Sequence, residues 1–329
     1  MSTAPEVSSA RARAVQMAEA MAMEEHSLWH DAARQFIKNR LAVGGLIIIV
    51  VFVLAATLGP YLAPYDFLDQ EIPNALQAPS REHWLGTDEL GRDIFSRLLH
   101  GARTAALLGF SSTAVGLLIG VAVGTTAGFA GGRADQFLMW FSDLVQSVPG
   151  LLLAMLVNTT LRRPIGRWFD AMYEQTRNPA YLNTLWLDYV LVFGALTVIG
   201  WPGQARLIRG LVLSLRETDY ALAARAVGAS RLRIMTHHII PNALGPTVVS
   251  TSAGIGGAIV NEAGLSFLGL GVQPPNASWG SMLNRSLTLW QSFPHLMIAP
   301  AVTIGIIRIA FIFCGDGLND ALNPHQRKL

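Results

Sequence analysis

The side chains able to do chemistry are few in this sequence, and their spacing argues against most reactions. Lys38 and Lys328 are the only lysines and neither follows a glycine-rich turn, so no Walker A loop can cradle a nucleotide's phosphates. No H-E-x-x-H, C-x-x-C or G-x-S-x-G occurs. His237 and His238 are adjacent, and neighbouring side chains on a helix point apart, which argues against a metal pair. The single cysteine, Cys314, excludes an intrachain disulfide and any multi-cysteine metal site. It reads as a small buried hydrophobe. No residue is catalytic on this reading, and no metal or other cofactor is expected in the chain. Three ionisable residues stand out by position, since Asp143, Glu262 and Arg308 lie within or at the edges of apolar runs. Such charges face a protein interior or a water path and find a partner there. For Arg308, snorkelling to the inner surface or structural pairing stands beside a pathway role.

The elements that must position these residues follow from composition. The chain has 329 residues, 51% hydrophobic and 14% charged, with a mean hydropathy of +0.39. A soluble domain carries about 25% charged residues. This excludes a disordered chain and an ordinary cytosolic enzyme, and a net charge of +2 gives no reason to expect a nucleic-acid partner. What remains is an integral membrane protein in a lipid bilayer. A span needs about 20 apolar residues. Six runs qualify: 41–65, 104–132, 136–161 (interrupted by Asp143), 189–205, 234–261 and 286–313. The run 263–284 is also uncharged, but its glycines and Pro274-Pro275 make it a non-spanning loop or re-entrant segment. With the N-terminus inside, the inner segments hold 14 basic residues and the outer ones 9. Both termini are therefore expected to be cytoplasmic. The first 40 residues mix Arg with acids and are no secretory signal. They read as an uncleaved signal anchor, in which Leu28, Trp29, Ala32, Ala33, Phe36 and Ile37 form the apolar face of a surface helix over 27–40.

Three further patterns carry information. Gly116, Gly120, Gly124 and Gly128 recur every four residues along the second run, giving one helix face without side chains. Such a face admits a close partner helix, in this chain or in another subunit. Ile165, Trp168, Phe169, Met172 and Tyr173 follow i, i+3, i+4, i+7, i+8, an amphipathic helix outside the membrane. Residues 206–233 hold six arginines. There an alanine-rich helix, Tyr220 to Val227, meets Gly228 as a left-handed cap, and a second basic helix, Ser230 to His238, stops at Pro241.

This last segment resembles the EAA loop of ABC importer permeases. The match rests on Ala223-Ala224, Gly228, and His238-Ile239-Ile240-Pro241. HWLGTDELGRDIFSRLLHGART (83–104), EAGLSFLGLGVQPPNASWGSML (262–283) and GDGLNDALNP (315–324) resemble the dipeptide/oligopeptide class of those subunits, in order. Leu222 stands where that class often has the Glu that names the loop, and residues 158–188 look like an insertion where the class has a short loop. The resemblance implies an all-α ABC type I importer permease fold with alternating access. It implies a second homologous permease, two ATPase subunits holding ATP and Mg, and an extracytoplasmic substrate-binding protein as partners. It also implies that Asp219, Tyr220, Ala223, Ala224, Gly228, Ala229, Arg231 and Pro241 dock an ATPase, and that Asp143 and Glu262 are structural or gating residues. Trp168, Phe169 and Tyr173 on the insertion helix are either an interfacial surface or a ledge for the binding protein.

The expected organisation is a cytoplasmic extension and interfacial helix over 1–40 and a first span with external loop over 41–102. The permease core follows over 103–319, with the insertion 158–188 and coupling loop 206–243, and then a tail over 320–329. Di- or oligopeptides are the expected solute, with nickel, glutathione or another small solute as alternatives. A self-sufficient secondary transporter is the rival class, but no internal repeat is visible and paired cytoplasmic helices would have no purpose in it.

Overall fold

In the computed structural model, residues 28–182 and 184–322 are described. The extension before Leu28 and the tail after Leu322 fall outside them. The helices are α1 (Leu28–Lys38), α2 (Arg40–Leu62), α3 (Ile94–Ala130), α4 (Gly132–Ser147), α5 (Gly150–Thr176) and α6 (Thr184–Leu215). They continue with α7 (Asp219–Ala226), α8 (Arg231–Ile234), α9 (Ile240–Phe267), α10 (Trp279–Ser286) and α11 (His295–Leu322). The described residues contain no strand beyond an isolated bridge between Thr87 and Asp93.

Five helices are long and apolar enough to span: α2, α3, most of α6, the run from Leu232 through α9, and α11. The sixth expected span, 136–161, is not one rod. It divides into α4 and α5, which meet at 87°. Pro149 has no N–H to donate and biases its predecessor away from helix, and Val148 is indeed extended at φ −90°, ψ 130°. The amphipathic stretch 165–173 is likewise no separate helix but the continuation of α5.

Pro241 also behaves differently from expectation. It does not stop the second basic helix. A π-helical turn, Met235–Ile239, widens the coil and carries it from α8 into α9, with Ile240 N–H bonded back to Met235 O. The shifted register places Pro241 in the first turn of α9, where a missing donor is tolerated.

The helix expected at the membrane surface packs on protein along one face, and the side chains of Leu28 and Trp29 lie outside the described positions. Ala32 and Phe36 of α1 are buried against Ala42, Cys314 and Ala321. Asn39 accepts from the N–H of Leu41 and Ala42 and so starts α2.

At the opposite end, residues 63–93 form a polar cap on α3. Asp93 accepts from Ser96 N–H at 2.7 Å as N-cap, and its other oxygen lies 3.0 Å from His83 Nδ1. Arg92 and Arg97 are both 2% exposed and flank Asp88, at 2.7 Å and 3.6 Å. Glu89 pairs with Arg285 of α10 at 2.7 Å. Buried arginines require partners of this kind. The segment that resembled dipeptide permeases is therefore an ion-pair knot that fastens the first loop to α10.

Candidate functional site: central cavity and coupling loop

The glycine face of α3 lies on α6. A Cβ built at Gly120 would sit 2.5 Å from Gln204 Cβ, one at Gly124 2.5 Å from Ala205 O, and one at Gly128 2.9 Å from Val212 Cβ. Gly116 differs, with 3.5 Å to the nearest atom. There α3 and α6 part and, with α9, enclose a cavity of about 220 Å³. Ser112, Thr113, Gln204 and Asn261 supply its polar atoms, and Gly200 and Gly254 its open backbone. Gln204 donates to Ser250 Oγ at 3.2 Å, while its buried Oε1 has no hydrogen-bond partner.

None of the three ionisable residues singled out in the sequence lines this cavity, and the structure does not bring them together. Asp143 is exposed on α4 and pairs with Arg206 of α6 at 3.1 Å. Glu262 is fully buried at the end of α9, where one carboxylate oxygen accepts from Ser266 Oγ at 2.7 Å and from Ser278 Oγ at 3.0 Å. It ties α9 to the start of α10, where Gly280 lies so close to the Ala263 backbone that no Cβ fits. Arg308 lies between α11 and α9 and donates to the Ala253 carbonyl at 2.6 Å. Arg308→Leu would remove this charge-assisted bond, although the Ala253 carbonyl keeps its helical partner, at a cost of about 1.5–3 kcal/mol. The expected result is a lower thermal midpoint in detergent, with uptake per folded molecule preserved. A normal midpoint with impaired uptake would instead assign Arg308 to the pathway.

Two residues that the sequence reading passed over join the loop to the bundle. Arg209 of α6 makes a two-pronged bond to Asp135 of α4, at 2.5 and 2.6 Å. Arg216 donates to the Gly128 carbonyl at 2.9 Å. The available signal was the helical spacing of Arg206 and Arg209 along α6, with Arg216 just past its end.

Beyond α6 the chain turns into α7. Gly228, at φ +84°, ends it in a Schellman motif: Gly228 N–H bonds to Arg225 O at 3.1 Å, and Ala229 N–H to Ala224 O at 3.0 Å. Ala221 is buried against Ile208, Val212, Ile234 and Ile239, with Ala224 and Ala229 packed beside them. The opposite face is open. Asp219, Tyr220, Leu222, Ala223 and Arg225 are exposed, and Val227 is 86% exposed. Pro241 is exposed at the start of α9, and the side chain of Arg231 lies outside the described positions. A short capped helix thus packs on α6, α8 and the π turn that leads into α9, and presents an apolar face flanked by charge.

At the far end, α5 is tied down by Asn158, which donates to Leu270 O, and by Arg162, 2.9 Å from the buried Asp188. Trp168 and Phe169 cluster with Tyr181 at ring distances of 6.2 and 6.0 Å, and Arg177 stands 5.8 Å over the Tyr173 ring. Trp168 is 53% exposed.

Residues 116–328 match the family described as binding-protein-dependent transport system inner membrane component. Residues 27–79 match the N-terminal TM domain of oligopeptide transport permease C. The chain is 40% identical over 311 residues to the oligopeptide transport system permease protein OppC of Bacillus subtilis, covering 94% of each chain. It is 37% identical to the dipeptide transport system permease protein DppC of Alkalihalophilus pseudofirmus, over 92% of this chain and 91% of that one. It is 36% identical to the glutathione transport system permease protein GsiD of Pectobacterium atrosepticum, over 90% and 91%. Its fold is similar to a chain of the inward-facing MetNI methionine ABC transporter, with a TM-score of 0.53 at 19% identity, covering 69% of this chain and 96% of that one. A multi-pass helical bundle carrying a rigid exposed helix between two spans, matched to that family model over most of its length, belongs to the binding-protein-dependent transport system inner membrane components, as a permease subunit of an ABC importer.

Proposed function

We propose that this subunit forms half of a peptide translocation pathway and draws its energy from separate ATPase subunits docked on α7. The observation that carries this is the geometry of α7, capped at Gly228, packed on α6, α8 and the π turn leading into α9, and exposed on its remaining face. A helix held at both ends passes displacement on to the spans beneath it. Asp219, Tyr220, Ala223, Arg225 and Val227 would meet the ATPase, with Ala224 packed behind them. With Leu222 in place of an acid, the contact there is apolar. Both termini then lie in the cytoplasm, on the side of α7. The remaining partners are a second homologous permease and a substrate-binding protein on the other side. The relatives named for oligopeptides and dipeptides favour peptide as the solute, and the glutathione-named relative keeps that tripeptide as the second reading.

Copurification followed by uptake in proteoliposomes tests this. Two ATPase chains and a sister permease should accompany the subunit, and labelled peptide should enter only with ATP and binding protein present. Transport by the purified chain alone would refute it. Competition by glutathione against the labelled peptide decides between the two solutes.

The outer end of α5 offers the binding protein a surface, with Trp168, Phe169 and Tyr173 as its aromatic anchors. Partly exposed Trp is the residue type whose truncation costs interfaces most. Trp168→Ala should therefore weaken binding-protein affinity by about tenfold or more. An unchanged affinity would assign this helix to the outer membrane interface instead. Point substitution is the better test, because deleting 160–185 would also remove Arg162 and leave Asp188 buried without its pair.

A further inference from the structure

We infer that the groove between α1, α2, α9 and α11 holds one acyl chain of an anionic phospholipid. Its volume, about 490 Å³, is larger than that of the central cavity. Pockets that take small ligands span about 300–1,000 Å³. Phe36 and Ile37 of α1, Leu46 of α2, Leu244 and Val248 of α9, and Leu318 of α11 form its walls. No side chain among these can satisfy a peptide group or hold a water molecule, so the occupant is hydrocarbon. The groove is open sideways: Ile37 is 69% exposed, Leu244 47% and Val248 45%. A lipid tail can therefore enter from the bilayer.

The rim identifies the headgroup. Arg34, about 60° round α1 from Ile37, is exposed at the open edge, and Lys38 and Arg40, also exposed, lie farther round the same surface, close enough to add to its potential. The acids nearby offer little opposition. Asp320 takes a long 3.5 Å bond from Asn39 Nδ2, and Asp316 lies two residues, about 200° round the helix, from Leu318. On one edge α1 is fixed, since Gly317 makes room for Ala42 and for the Phe36 ring. Its other edge stands away from α9 and leaves the slot. A basic surface helix pinned along one side over a dry slot is built to hold a negative headgroup above a buried tail.

Each basic residue at a membrane surface contributes about fivefold to affinity for anionic lipid. Native mass spectrometry of the full-length chain, purified with the subunits that accompany it, tests the inference in mixed micelles of phosphatidylglycerol or phosphatidylcholine. The wild type should retain one phosphatidylglycerol and release phosphatidylcholine. Arg34→Gln with Lys38→Gln, both at exposed positions, should cut phosphatidylglycerol retention by about 25-fold. Val248→Trp, also at an exposed position, should fill the slot and abolish retention. Equal retention of both lipids by the wild type overturns the inference, as does undiminished phosphatidylglycerol on Val248→Trp. Retention of no phospholipid by the wild type overturns it too, and so does loss of a copurifying protein from Val248→Trp with its lipid unchanged.

Discussion

Gly124→Leu should force α3 and α6 apart and lower the amount of folded chain in the membrane. At Gly124 the first added carbon already meets a backbone oxygen, Ala205 O at 2.5 Å, with Ile208 Cβ at 3.0 Å. A backbone atom cannot rotate away as a flexible side-chain end can. The helices must therefore separate along the seam, which also carries Gly120 and Gly128. Overpacking of this kind costs about 3 kcal/mol at its upper end, against a total stability of about 5–15 kcal/mol. Between helices in lipid this seam depends on close van der Waals contact, so separation gives up the attraction itself. Gly116→Ala is the internal control. Its added carbon would meet nothing nearer than 3.5 Å, and its effect should stay within about 0.5 kcal/mol. Thermal unfolding in detergent, read with membrane abundance, ranks the series. A Gly116 variant as damaging as the Gly124 variant would refute the packing argument.

Gly228→Arg should abolish uptake while leaving the protein in the membrane at its normal level. Nothing lies within 4 Å of the position, so space is not what the substitution violates. What it violates is the backbone, which at φ +84° costs an ordinary residue about 1–2 kcal/mol. Loss of the cap frees the Ala224 and Arg225 carbonyls and lets the end of α7 unwind. Insertion is set by the spans, none of which contains Gly228. The prediction separates into degrees. Gly228→Asn should keep most of its transport, because asparagine enters the left-handed region with little penalty, whereas Gly228→Val should resemble the arginine variant. Quantitative immunoblotting of membranes beside peptide uptake measures both arms. Wild-type transport by Gly228→Arg would remove the coupling role from this loop.

Much of this was legible before any coordinates. Charge-free length locates spans because lipid excludes charge, and a four-residue glycine period marks a seam because Cβ atoms repeat on one helix face. The left-handed cap was legible too, since glycine after an alanine-rich helix has few other uses. What escaped was direction and register. Counting apolar residues across 136–161 gives a length and cannot show a right-angled turn at Pro149. Pro241 looks like a stop by its lost donor, yet a π turn moved it to a place where the donor was not needed. Gln204 and Asn261 were single polar residues within apolar runs, and only the meeting of three helices makes them line one cavity. Arg308 and Glu262 read as charges in need of a partner, structural or along a pathway, and the partners are a backbone carbonyl and two serine hydroxyls. Those partners carry no charge for a sequence pattern to reveal.

The side-chain-free seam of α3 also has a consequence for synthesis. α3 is complete at Ala130, but its partner α6 ends only at Leu215. At roughly 5–20 residues per second, making the intervening chain takes on the order of ten seconds. Through that interval the glycine groove is a finished surface without its counterpart. The nascent chain must stay soluble in the bilayer, or in the grip of the insertion machinery, with a strip of bare backbone facing outward. Ribosome pausing within 131–215 would lengthen that exposure of the seam that fixes the mature bundle.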